Sequence, residues 1–359
     1  MKRKQLFMMS SVVMKRYLHT CWFFLPACFL FAACNPTLKL QVLQAAQVSL
    51  PSHIKQIGIV NRTIPGKDDR FLNVVEGLLS GESIGADRMG AENAMEGVRQ
   101  QLMSTDRFVV SLPNLNLDGS HPFFLQGPLD KEVVNAICAQ HHLDAIIVLE
   151  MFDSDSRIIV NPRNTETRVN GKRVVVTDFV ANAEMNVQTS WKVYDDSTDN
   201  IIDQHQFVNV ARFSGAGPNP DAARMALPGK RNAINQAGLQ AGIAYGTRIA
   251  PFWTTVIRQY YRKGNDSMKE AAALSKKGDW LGAVAIWKKE ILNKEEVIAG
   301  RAYYNLAVAC EREGNLDLAI EYATQANQRY HLRRASTYLS LLHQRVNNRL
   351  RLRHQYEGN

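Results

Sequence analysis

Little in this chain of 359 residues is arranged as an enzyme arranges its reactive groups. There is no His-Glu-x-x-His, no Cys-x-x-Cys pair and no Gly-Lys-Ser/Thr loop. That removes the common zinc-hydrolase, dithiol and phosphate-cradling plans. Cysteine is scarce, at five residues. Cys21, Cys28 and Cys34 fall in or at the end of an N-terminal apolar segment, and Cys138 and Cys310 each sit inside an apolar helical pattern. Two isolated thiols make neither a disulfide framework nor a metal site, so both are expected to be buried and free. The run Cys21–Ala33 has only 13 residues and contains Pro26. A spanning helix needs about 20 apolar residues, so a transmembrane anchor is not expected. Finally, Asn35 to Gly66 contains no Asp or Glu.

What is present at the N-terminus follows the three-part plan of a secretory signal: a basic start, an apolar middle and a small-residue end at residues 1–33. A second Met-Lys-Arg at Met14 would begin a leader of ordinary length. The formal charge of +9 includes five basic residues of this leader. Without them 38 basic residues face 34 acidic ones, and the charge argument for nucleic acid disappears. Phe31, Ala32 and Ala33 before Cys34 resemble a bacterial lipobox. The resemblance implies that the leader is cut ahead of Cys34 and that its thiol is lipidated. Because no acidic cluster follows the cysteine, it further implies an outer-membrane lipoprotein facing the periplasm. Residues 34–52 then read as a lipid-anchored tether, with a first strand at Leu38 to Leu43 nearly as well supported.

From residue 53 to 262 the pattern is that of an α/β or α+β domain with a mixed sheet. "IKQIGIVNRT" reads as a buried strand, and "GADRMGAENAMEGVRQQLMST" as a helix with Met89, Ala94, Met95, Val98 and Leu102 on one face. "DRFVVSL" is strand again, and "LDKEVVNAICAQHHLDAIIVLEMF" repeats the helix-to-strand step. Strands joined by helices are parallel neighbours. After them "KRVVVTDFVANAEMNVQTSWKVYDDSTDNIIDQHQFVNVARF" alternates about a turn at "DDSTDN", with Val187, Thr189, Trp191 and Val193 on one face, and predicts an antiparallel hairpin. The combination resembles the α/β domains of the curli-export and synthase-activating envelope lipoproteins. A further helix carries Ile234, Ala237, Ala241 and Ala244, with Gly238, Gly242 and Gly246 on an adjacent line. Glycine at that spacing marks membrane helix pairs, but Gln236, Gln240 and Arg248 point instead to close packing on the sheet. "FWTTVIRQYYRKGN" is expected to begin another helix leading out of the domain.

Residues 263–359 repeat themselves. Gly278 and Gly314, Asp279 and Asn315, Trp280 and Leu316, Ala283 and Ala319, and Ala271 and Ala307 recur at a spacing of 36. The pattern resembles the tetratricopeptide (TPR) unit of about 34 residues, an antiparallel helix pair with a small residue where the helices touch. The helix before Gly264 and "RRASTYLSLLHQRVNNRLRL" would cap the stack. The latter has an apolar face at Tyr338, Leu341, Leu342 and Val346. Its other face is basic, with Arg333, Arg334, Arg345, Arg349, Arg351 and Arg353, and is expected to be solvated, so that losing charge there leaves stability nearly unchanged. Stacked pairs expose a concave surface, which assigns partner contacts to Arg301, Tyr304 and Asn305.

Candidates for chemistry are few. Glu150, Asp153 and Asp155 follow an apolar strand, where carboxylates can bind a hard cation or act as acid and base, or are simply solvated. His141 and His142 lack partners at metal-ligand spacing. Ser52 to Lys55 matches Ser-x-x-Lys but enters a strand rather than a helix. No catalytic residue, metal or cofactor is expected. The ordered set "IKQIGIVNRT", "LDAIIVLEMFDSD", "IAPFWTTVIRQYYRKGN" and "AYYNLAVACEREGNLDLAIEYA" resembles an uncharacterised family of Gram-negative envelope lipoproteins with tetratricopeptide ends. The resemblance implies architecture and address but no activity. The expected function is a non-catalytic scaffold binding an envelope protein through its repeats. The alternative is a ligand-binding or hydrolytic α/β domain that the repeats bring to a complex.

Overall fold

The computed structural model describes residues 35–63, 84–115, 117, 127–198 and 200–358. The leader, Cys34 and Ser83 lie outside the described residues. The elements in chain order are β1 (Thr37–Gln44), β2 (Gln56–Asn61), α1 (Ile84–Leu102), β3 (Val109–Ser111), α2 (Lys131–His141), β4 (Ala145–Val169), β5 (Lys172–Asp195), β6 (Ile201–Gly217), α3 (Pro220–Met225), α4 (Lys230–Ile249) and β7 (Phe252–Gln259). Five helices follow: α5 (Asp266–Lys276), α6 (Trp280–Glu290), α7 (Glu296–Arg312), α8 (Leu316–Thr324) and α9 (Arg333–Glu357). The chain is thus a mixed α/β sheet region followed by a helical region.

A five-stranded sheet has the order β3-β2-β4-β5-β6. β2 pairs parallel with both β3 and β4, and β4, β5 and β6 are antiparallel. Helices α1 and α4 cover one face over a core that includes Ile57, Ile147, Leu149, Val187 and Trp191. Trp191 stacks on Tyr245 of α4, centroids 4.9 Å apart. Helix α2 covers part of the other face with Val134, Ile137 and Cys138 over Ile146 and Val148. The glycine line of α4 is turned to α1 rather than the sheet: a Cβ on Gly242 would lie 1.8 Å from the Ala94 carbonyl oxygen. Here glycine lets two helix backbones touch.

β4 and β5 run on past the rest of the sheet. β6 follows β5 only as far as Phe179, which opposes Pro162 on β4. Beyond it Arg163–Val169 pairs with Lys172–Asp178 as a bare two-stranded arm, turned at Asn170 and Gly171, both in left-handed backbone. At about 3.3 Å per residue the arm projects roughly 23 Å.

Two sequence expectations are decided in the same place. Residues 37–44 form the strand that was the alternative to a tether, and "FWTTVIRQ" is not a helix: β1 and β7 pair antiparallel along their whole length, from Thr37↔Gln259 to Gln44↔Phe252. The β-branched and aromatic residues of β7 alternate in burial, which suits a pleated ribbon with one face covered. The inner face, with Leu40, Val42 and Arg258, packs on the helical region, and β7 therefore takes the place assigned to a capping helix.

In the helical region α5 with α6 and α7 with α8 form two helix pairs. Each pair turns at a glycine with positive φ, Gly278 (93°) and Gly314 (78°), where a side chain would be strained. Asp279 and Asn315 cap the following helices through Gly282 N–H and Leu318 N–H. Ala271, Ala283, Ala307 and Ala319 are fully buried, so all four small positions lie in helix contacts.

Candidate functional site

Glu150 is the residue of the sheet most suited to a site. The β4–β5 register slips between Leu149 and Met151, which makes Glu150 the extra residue of a β-bulge. Bulges break the alternation of a strand and re-aim a side chain. The slip lies where β4 loses β2 as a neighbour, at the carboxyl ends of the parallel strands. With order β3-β2-β4, this is the point where successive connections diverge, the usual place for a ligand crevice in an open α/β sheet.

Four elements converge there. Arg62, just past β2, brings Nη1 within 3.2 Å of Glu150 Oε2 and also donates to the Gly127 carbonyl at 2.9 Å. Lys192 Nζ on β5 lies 3.3 Å from Oε1. The Tyr194 hydroxyl donates to Oε1 at 3.3 Å and accepts the Leu129 N–H. Burial, together with the neighbouring carboxylate, pushes the Tyr194 phenol up to about 12, so it stays a donor. Glu150 is only 1% exposed. A cavity of about 250 Å³ adjoins the cluster, lined by Pro128, Lys131, Tyr194, Asp195 and Asn200 among others. Enclosed and contacted by two cations and a phenol, this carboxylate organises its surroundings.

The sequence placed Glu150, Asp153 and Asp155 together at a strand end. The structure corrects this: β4 continues to Val169 and the three separate. Glu150 is enclosed, Asp153 is half-buried and Asp155 is exposed. No group of three or more His, Cys, Asp or Glu able to hold a metal occurs among the described residues. His142 closes α2 in left-handed backbone. Cys138 is buried and Cys310 half-buried, both free, with thiols pushed up to about 12 and about 11 mainly by burial.

A second cluster has the composition of a nucleophilic triad without its geometry. Asp195 Oδ1 lies 3.1 Å from His53 Nε2, and Ser197 Oγ lies 3.3 Å from the same nitrogen. A relay needs one ring nitrogen for each partner, and Ser197 instead donates directly to Asp195 at 2.8 Å. Burial raises the Asp195 carboxyl, but donors from Ser197 and His53 outweigh it and hold the group below its ordinary value. The cluster caps the β5–β6 turn. Gly81-Glu82-Ser83-Ile84-Gly85 matches Gly-x-Ser-x-Gly by spacing. Ser83 lies outside the described residues.

The residues assigned to a partner are also relocated. Tyr304 is 4% and Asn305 0% exposed. Asn305 Oδ1 accepts the Tyr261 N–H at 2.7 Å and its Nδ2 donates to the Tyr261 carbonyl at 2.8 Å. Asn305 therefore does hold an extended backbone, but one from its own chain. Arg301 donates to the Lys263 carbonyl, with its guanidinium 5.4 Å from the Tyr261 ring. The solvated basic face of α9 needs correction too: Arg345 donates to buried Glu311 at 2.8 Å, and Arg351 donates to the Ala46 carbonyl.

The chain belongs to the family described as a domain of unknown function, DUF8603, whose profile matches residues 54–261. A second domain of unknown function, DUF6340, matches residues 269–344 within the helical region. No curated protein matches the chain.

Proposed function

We propose that this is a non-catalytic outer-membrane lipoprotein, lipidated on Cys34 and facing the periplasm, that holds another envelope protein. The bare β-hairpin arm carries the reading. Val174, Val175 and Val176 are 41%, 61% and 46% exposed, and Ile158 and Ile159 at its root are 53% and 44% exposed. An isolated two-stranded hairpin is marginal in water, and an apolar surface of this kind suits a protein contact. The helical region is a TPR-like pair of units, a reading supported by the glycine turns and the buried alanines at matching positions. Asn305 of its inner helices is taken by Tyr261, and the apolar side chains it leaves free include Leu281 and Leu292, 87% and 83% exposed.

A second reading, a ligand-binding α/β domain, is favoured by the placement of Glu150 on a bulge at the sheet's switch point. Two comparisons separate the readings. Recovery of partners from membranes with Val174→Asp and Val176→Asp should lose the principal partner at equal protein abundance. The Glu150→Gln chain, if folded, should retain it. The opposite pattern favours the ligand-binding reading. The address has its own test: Cys34→Ser should abolish incorporation of labelled fatty acid, and continued labelling would refute it.

A further inference from the structure

The β1–β7 ribbon has an inner face packed on the helices and an outer face packed on nothing described. Outward are Lys39 opposite Ile257, Gln41 opposite Thr255, and Leu43 opposite Trp253. Trp253 is 56% and Ile257 59% exposed. The strands are also free of acid: neither residues 35–67 nor residues 222–265 contain Asp or Glu. Just past β7, Arg262 and Lys263 are exposed, as is Lys39 on β1. An exposed indole and an exposed isoleucine on one face of a strand, with cations at the isoleucine end and no carboxylate on either strand, have the chemistry of a surface that meets anionic headgroups.

Chain length narrows the occupant further. Two residues, Asn35 and Pro36, separate Cys34 from Thr37, and the three Cα-to-Cα steps span at most about 11 Å. Thr37 is already locked opposite Gln259, and the Pro36 carbonyl accepts the Tyr260 N–H at 3.1 Å. A lipid on Cys34 would leave this end of the ribbon no room to stand away from the bilayer. We infer that the outer face of the β1–β7 ribbon lies on the phospholipid surface, with Trp253 and Ile257 in the headgroup region and Lys39, Arg262 and Lys263 against anionic headgroups. The inference rests on the reading of Cys34 as lipidated.

Trp253 supplies its own probe. Trp191, Trp280 and Trp287 are buried, so Trp253 is the exposed indole among the described residues, and Trp22 is absent from both forms tested below. The lipidated protein is reconstituted in vesicles of phosphatidylglycerol and phosphatidylethanolamine with brominated acyl chains. In parallel, the chain from Asn35 to Asn359, which contains every described residue and no lipid, is added to the same vesicles. Quenching of the exposed indole in either form, absent in Trp253→Phe, is the expected result. For the lipid-free chain, Trp253→Ser with Ile257→Ser should weaken vesicle binding at least about tenfold. Arg262→Gln and Lys263→Gln should each weaken it about fivefold and reduce its salt sensitivity. Leu281→Ser on the helical rim should leave it unchanged. Circular dichroism checks that each variant is folded. Absence of quenching in both forms overturns the inference. So does a dimer of the lipid-free chain that Trp253→Ser dissociates, because a second copy would then cover the face. The mass of the Cys34 peptide tests the anchor separately: an unmodified cysteine refutes the lipoprotein reading, and the lipid-free arm still decides the fate of the face.

Discussion

Glu311 collects more partners than any carboxylate in the helical region. Arg258 reaches it from β7 through two bonds, at 2.8 and 3.0 Å, Arg345 from α9 at 2.8 Å, and the Tyr338 hydroxyl at 2.7 Å. Burial raises its carboxyl, and the donors from Arg258, Arg345 and Tyr338 outweigh that and hold it below its ordinary value. A depressed carboxylate stabilises the fold above its unfolded value of about 4.3 and loses that contribution as pH falls through the folded value. Denaturant midpoints from about pH 7 to about pH 3 should therefore decline more steeply for the native chain than for Glu311→Gln. Glu311→Ala should cost about 3–5 kcal/mol by leaving two cations buried without a partner. Arg345→Gln should cost measurably more than Arg353→Gln, in place of the neutrality that the sequence suggested for both. The cluster was illegible beforehand because Arg258, Glu311 and Arg345 stand far apart in the chain and look like ordinary surface charges. The Glu150 cluster was legible only in part. Its strand could be read, but a bulge is a matter of register with β5, which sequence does not carry.

The elements that were legible have a period set by one buried face. β2, α1, β3, α2 and the opening of β4 followed from their apolar spacing, although Met89 of the α1 face is exposed, and so did the β5–β6 hairpin, where Val187, Thr189, Trp191 and Val193 are all fully buried. β7 was misread because its alternation is only eight residues long and is followed by a Tyr-Tyr-Arg-Lys run that fits a helix end as well. Its partner, β1, lies more than 200 residues earlier, and nothing local announces the pairing. The glycines of α4 were recognised as a packing line, but against the wrong neighbour, since sheet and helix both reward a bare backbone. Gly242→Ala tests the corrected neighbour. The added methyl cannot share space with the Ala94 carbonyl, so α1 and α4 must part, at a cost of about 1–3 kcal/mol in thermal or denaturant unfolding. An unchanged stability would mean that the two helices are not in backbone contact.

Among the described residues, the segment 43–50 and the last helix are knitted together. Asn348 of α9 donates to the Leu43 carbonyl and accepts the Ala45 N–H, and Gln355 bonds to both the N–H and the carbonyl of Ala46. Arg107, between α1 and β3, donates to the Leu50 carbonyl and lies 6.0 Å from the ring of Tyr356. The contacts of Asn348 and Gln355 span 303 to 309 residues of sequence, so a boundary near residue 262 divides the pattern of elements but not the packing. A chain ending near Gly264 would lose α7 and α9 from the inner face of the ribbon. It is expected to expose Leu40 and Val42 and to unfold the β1–β7 pair, contrary to what two separable modules would do; hydrogen exchange of residues 37–44 and 252–259 reads this directly. The full chain should also show one unfolding transition by near- and far-ultraviolet signals alike. The body so formed carries both the arm and the ribbon, and the proposed scaffold would use the first for its partner and the second beside its anchor. The most direct measurement is photocrosslinking in intact cells from a reactive residue placed at Val175 on the arm, with Gln188 in the middle of β5 as the comparison position. The account predicts a single adduct of defined mass from Val175 and none from Gln188. No adduct from Val175, in cells where the protein is abundant and folded, would contradict it.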